Sequence, residues 1–79
     1  VEIISKAMLI LLEKRGFSWF ERSDEDYACS MVTDVGDRVD AVVMKDSVRF
    51  VFKGRNGVSL DLHYGDPDLF AKVESAFFL

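Results

Sequence analysis

From Phe17 to Tyr64 the chain alternates apolar and polar residues with period two, and Asp, Gly, Ser and Asn interrupt the pattern every few residues. This run constrains the fold more than any other feature. We read five strands in it: Phe17 to Arg22, Tyr27 to Asp34, Val39 to Lys45, Val48 to Lys53 and Val58 to Tyr64. A parallel crossover needs roughly a dozen residues, and the connections here are shorter, so each strand turns back beside the one before it. The expected sheet is an antiparallel meander.

Helices are expected on either side of this run. In Val1 to Arg15 the residues Ile4, Ala7, Met8 and Leu11 recur at three- and four-residue spacing, and Gly16 follows Lys14 and Arg15 as a C-terminal stop. At about 100° per residue, Ile3, Ile4, Ala7, Met8, Leu11 and Leu12 fan across one face, opposite Glu2, Ser5, Lys6 and Glu13. Leu9 falls within the polar face and is read as an isolated exposed leucine ahead of the alternative, a contact point for another chain. After the sheet, Asp66 is the expected N-cap of a second helix, with Pro67 at its first position. Leu69, Phe70, Val73, Ala76 and Phe77 form its apolar stripe. The expected fold is α+β, with the N-terminal and C-terminal helices packed on one face of a five-stranded antiparallel meander.

Register follows from the requirement that opposite residues share a face. Pairing Phe52 with Leu60 and Phe50 with Leu62 leaves Arg55-Asn56-Gly57 as a three-residue loop with Gly57 in the left-handed position. A two-residue Asp46-Ser47 loop pairs Val43 with Phe50 and Ala41 with Phe52. On the outer face this sets Val42 opposite Val51, Asp40 opposite Lys53, and Met44 beside Arg49.

The 79 residues fit a single small domain, and 49% apolar with 30% charged residues supports a packed core instead of disorder. Ten basic against fourteen acidic side chains give a net charge of −4, which counts against a polybasic nucleic-acid or membrane binder. One cysteine excludes an internal disulfide and one histidine excludes a His-rich metal site, so a reducing, cytoplasmic setting is expected. The longest nearly apolar run, Ala7 to Leu12, is far short of the ~20 residues of a membrane span, and no signal-peptide pattern precedes it. The chain opens on Val1 and closes on Phe77-Phe78-Leu79 where a helix is ending, so either end can be a processing boundary.

No catalytic constellation emerges. Cys29 and His63 lie on the second and fifth strands, three strand spacings or about 14 Å apart, too far for a thiolate and imidazole pair. Cys29 reads as a small buried hydrophobe, and His63 as a solvated residue beside Arg49 and Asp61. The acidic pairs lack the spacing of a calcium loop, and Gly54-Arg55-Asn56-Gly57 lacks both the lysine and the following helix of a phosphate loop. Neither a metal nor a cofactor is expected.

Topology sorts the charges. In a meander the odd connections share one rim, which collects Asp24, Glu25, Asp26 and Asp46 with Asp66 and Asp68, against only Arg22 and Lys45. The opposite rim carries Lys14, Arg15, Arg38, Lys53 and Arg55 beside Glu13, Asp34 and Asp37. The resulting expectation is a non-enzymatic interaction module of the regulator, inhibitor, immunity or adaptor type. It would dock another protein, or a second copy of itself, through Asp24, Glu25, Asp26 and Asp46 or through the outer-face patch of Val42, Met44 and Val51. The alternative is a nucleic-acid or phosphate binder using Arg38, Lys53 and Arg55, which the net charge and the absence of interleaved aromatics disfavour.

Overall fold

The computed structural model describes residues 2–24 and 26–77, with the side chains of Glu2, Trp19, Arg55, Ala76 and Phe77 outside the description. Helix α1 spans Glu2–Lys14, and the strands are β1 Ser18–Ser23, β2 Asp26–Val32, β3 Arg38–Val43, β4 Ser47–Phe52 and β5 Val58–His63. Helix α2 spans Leu69–Phe77. The strands lie in the order β1-β2-β3-β4-β5 with every neighbouring pair antiparallel, the meander expected from the short connections.

Helix α1 stops through local chemistry. Gly16 takes φ 97°, a left-handed conformation open to glycine and costly for other residues. The Phe17 amide then donates to the Leu12 carbonyl at 3.0 Å and the Gly16 amide to the Glu13 carbonyl at 3.1 Å, the paired bonds of a Schellman motif. Leu12 and Phe17, the two apolar positions such a motif brings together, are both buried. At the other end of the chain, Asp66 Oδ1 accepts from the Asp68 amide at 2.8 Å, the bond expected of an N-cap, while regular helix begins two residues later than Pro67.

Both helices pack on one face of the sheet. Met8 and Leu12 from α1 and Leu69 and Val73 from α2 join one buried cluster with Cys29, Val39, Ala41, Val43, Val48, Phe50, Phe52 and Leu62. Helix α1 lies over β3, and α2 over β5.

Register departs from expectation by two residues in both later hairpins. Val43 pairs with Val48 and Ala41 with Phe50, because the turn closes on Lys45-Asp46, where the Met44 amide donates to the Ser47 carbonyl at 2.8 Å. Phe50 pairs with Leu60 and Phe52 with Val58, because the loop is five residues long instead of three. It opens with a 3-10 turn at Lys53–Arg55 and returns through Asn56 at φ 59° and Gly57 at φ 73°. Asn tolerates the left-handed region that the longer loop needs twice. A shift of two preserves the pleat, so each residue keeps its face although its partner changes. Consequently Val42 lies opposite Arg49 and Asp40 opposite Val51, in place of the expected Val42–Val51 and Asp40–Lys53 pairs.

Two further corrections concern packing, beside one irregularity. In β1, the register shifts between Ser18 and Glu21, so two residues oppose Cys29 at an edge-strand bulge, with Phe20 exposed. Helix α1 is rotated relative to its sequence pattern: Leu9 packs against the core, whereas Ile3, Ala7 and Ile10 are exposed. Phe70 on α2 and Val58 at the start of β5 are also exposed, and Leu60 and Tyr64 are half-buried at the margin of the core.

Candidate functional site

The meander brings the first acidic set together on one rim. Asp24 occupies the β1–β2 turn at φ 55°, and its carbonyl accepts from Arg22 Nε at 3.2 Å. The Arg22 guanidinium carbon sits 5.6 Å from the centroid of the ring of Tyr27, its cross-strand partner, a cation–π contact. Asp26 begins β2 and Asp46 sits in the β3–β4 turn, where its carbonyl accepts from the Tyr64 amide at 3.1 Å. Glu25 lies outside the described residues.

Asp66 and Asp68 complete this rim at the entrance to α2. Lys72 Nζ, one turn into the helix, lies 2.5 Å from Asp66 Oδ2 and adds a third cation to this rim. The Lys72 hydrogen bond and the Asp68 amide hold the Asp66 carboxyl below the usual carboxylate range. Among the described residues, Asp24, Asp26, Asp46 and Asp68 carry no ion pair.

A shallow groove of about 430 Å³ opens at the same rim, lined by Ile4, Lys45, Asp46, His63, Tyr64 and Gly65. Tyr64, one of its lining residues, donates its hydroxyl to the Met44 carbonyl at 2.7 Å, and the Ser5 hydroxyl donates to the same carbonyl at 3.4 Å. Burial pushes the Tyr64 phenol above its ordinary range, with the Asp26 and Asp46 carboxylates adding to the effect and Ser5 opposing it. The groove joins segments from α1, the β3–β4 turn and the end of β5, which no local sequence signal connects.

The outer sheet face is more polar than its apolar residues alone suggest. Val42, Met44 and Val51 are half-buried, and Val42 and Val51 are diagonal neighbours, each directly opposite a charged residue. Arg49 holds Asp61 through two bonds, Nε to Oδ1 at 2.7 Å and Nη2 to Oδ2 at 3.1 Å. This bidentate pair draws the Asp61 carboxyl below its ordinary range.

At the basic rim, Arg38 Nε lies 2.8 Å and Lys53 Nζ 3.9 Å from the carboxylate of Asp40, so one acid partly offsets two of the three cations proposed to contact a phosphate backbone. The third is Arg55, whose backbone lies in the 3-10 turn and whose side chain is outside the description. Arg15 is paired with Glu74, which ties the end of α1 to α2.

Cys29 is buried on the core face while His63 is exposed three strands away. Burial, with a contribution from Asp40, pushes the Cys29 thiol from 9.0 up to about 11. The folded state therefore resists forming the thiolate. The associated stability is intact below about pH 9 and is lost as pH rises towards about 11. Cys29→Ala should remove this component of alkaline destabilisation, seen as a smaller fall in denaturation midpoint across that window than in the wild type. Equal falls in the two proteins would show that Cys29 does not titrate in the folded chain.

Among the described residues no group of three or more His, Cys, Asp or Glu side chains is arranged to hold a metal ion, and no helix is long and apolar enough to cross a membrane. Comparison with protein-family models, curated proteins and solved structures gave no match.

Proposed function

We propose that the chain is a small non-enzymatic interaction module, of the regulator, inhibitor, immunity or adaptor type, that docks a cationic protein segment on its acidic rim. The observation that carries this reading is the gathering of Asp24, Asp26, Asp46, Asp66 and Asp68 at one end of the sheet, with Asp66 alone paired to a lysine among the described residues. Such a rim raises the local concentration of cations and speeds their encounter. The adjacent groove supplies the apolar wall of Ile4 and Tyr64, against which the stem of a lysine or arginine can lie. The buried, weakly acidic thiol fits a protein working in a reducing compartment such as the cytoplasm.

Titration with a fluorescent Lys/Arg-rich peptide, and separately with duplex DNA, tests the reading. The peptide should bind with an affinity that falls as salt rises, and Asp24→Asn, Asp26→Asn and Asp46→Asn combined should weaken it roughly tenfold or more while the circular dichroism spectrum is unchanged. Binding of DNA that is lost in Arg38→Gln with Lys53→Gln, and indifference to the rim substitutions, would transfer the function to the opposite rim.

A further inference from the structure

Helix α1 presents a second apolar stripe that its own core does not use. Ile3 is 82% and Ile10 55% exposed, and Ala7 between them is exposed as well. The spacing 3, 7, 10, 14 is that of successive d and a positions of a heptad, with Lys14 at the fourth position. On that frame Lys6 and Glu13 both fall at g, flanking the stripe on one side. Both are exposed, and among the described residues neither forms an ion pair.

We infer that this stripe is the contact surface of an antiparallel, two-fold symmetric dimer, with α1 of a second copy as its occupant. The pattern is self-complementary in that orientation. In an antiparallel helix pair each a position faces a d position, so Ile10 of one copy lies over Ala7 of the other, where a methyl side chain lets the helices approach. Ile3 lies against the aliphatic stem of Lys14. The same orientation brings g towards g, so that Lys6 of each copy meets Glu13 of the other, and the two-fold axis makes each contact twice. A parallel pair would face Lys6 with position 11, a leucine, and leave both charges unmatched.

The uneven distribution of charge points the same way. Helix α1 runs from the acidic rim, where Ile4 lines the groove, to the basic rim, where Arg15 meets Glu74. Antiparallel pairing therefore sets the acidic rim of each copy beside the basic rim of the other and opposes the two helix dipoles. The inference does not depend on the cationic-partner reading, and it moves self-association from the outer sheet face to the helical layer. Two short helices bury less than a standard interface, which implies a concentration-dependent dimer.

Sedimentation equilibrium of the intact chain supplies the test. The wild type should dimerise with rising concentration, and Ile10→Glu should leave a folded monomer, because Ile10 is outside the core. Lys6→Glu alone and Glu13→Lys alone should each weaken association about tenfold or more by facing like charges twice, whereas the double exchange Lys6→Glu with Glu13→Lys should restore it. A wild type that stays monomeric to ~1 mM would overturn the inference. A dimer indifferent to Ile10→Glu would overturn the surface, and loss in the single exchanges without recovery in the double would overturn the antiparallel register. Peptide binding measured on the same variants separates this result from that of the acidic rim.

Discussion

Replacing Phe50 with alanine should lower the free energy of unfolding by about 3 to 5 kcal/mol, the range for emptying a buried phenylalanine site. The residue is fully buried in the middle of β4. Its neighbours across the sheet are Ala41 on β3 and Leu60 on β5, so the ring occupies space that the short Ala41 side chain leaves free beneath the helices. It also meets Phe17 with the ring centroids 6.3 Å apart and the planes inclined at 57°, a tilted contact worth about 0.5 to 1.5 kcal/mol beyond burial. Phe17 ends the Schellman motif of α1, so the vacancy would loosen the point where helix and sheet are joined. Small domains hold only about 5 to 15 kcal/mol in total, and the variant should unfold at far lower urea concentration. Phe50→Leu, which retains part of the volume, should lose about 1 to 2 kcal/mol and supply a well-folded comparison. A loss below about 1 kcal/mol for the alanine variant would remove Phe50 from the centre of the core.

Face assignment proved robust in this chain and register did not, for a physical reason. Alternation decides which side of the pleat a residue occupies, and Val43, Phe50, Phe52 and Leu62 all lie in the core as their alternation requires. Partnership depends on turn conformation, which is less strongly encoded. Asp46-Ser47 and Lys45-Asp46 both contain the turn-favouring Asp46, and the backbone closes on the second although its other residue is not a turn former. Asn56 and Gly57 can each take positive φ, so a three-residue and a five-residue loop are both compatible with the same letters. The error is even in each case, and the two faces survive it.

The acidic rim was legible because strand parity alone determines which turns share an end of the sheet. Lys72 was missed as a partner of Asp66 because the contact joins a cap to the first turns of α2 through a long side chain that local pattern does not orient. The groove was missed for a stronger reason: Ile4, Asp46 and Tyr64 meet only after three segments far apart in sequence have packed. On the outer face, the two-residue shift alone converts the expected Val42–Val51 row into a diagonal pair set among Arg49, Asp61 and Asp40.

Leu12→Ala should cost about 2 to 5 kcal/mol, while Ile10→Ala, measured at a concentration where the chain is monomeric, should cost about 0.5 kcal/mol or less. The contrast tests which arc of α1 faces the sheet, a question its sequence leaves open because apolar residues occupy more than half of the helix circumference. Leu12 is fully buried in the cluster that contains Phe17, and its carbonyl accepts the amides of Arg15 at 3.1 Å and Phe17 at 3.0 Å. Alanine keeps that carbonyl and is at least as good a helix former, so the expected loss is packing and cavity alone. Leu9→Ala should fall between the two, since Leu9 is half-buried against the core on one flank of the helix. The order Leu12, Leu9, Ile10 in denaturation midpoints follows from this rotation. The reverse order would turn the Ile3–Ala7–Ile10 stripe inward, leaving no exposed surface for a second copy to meet.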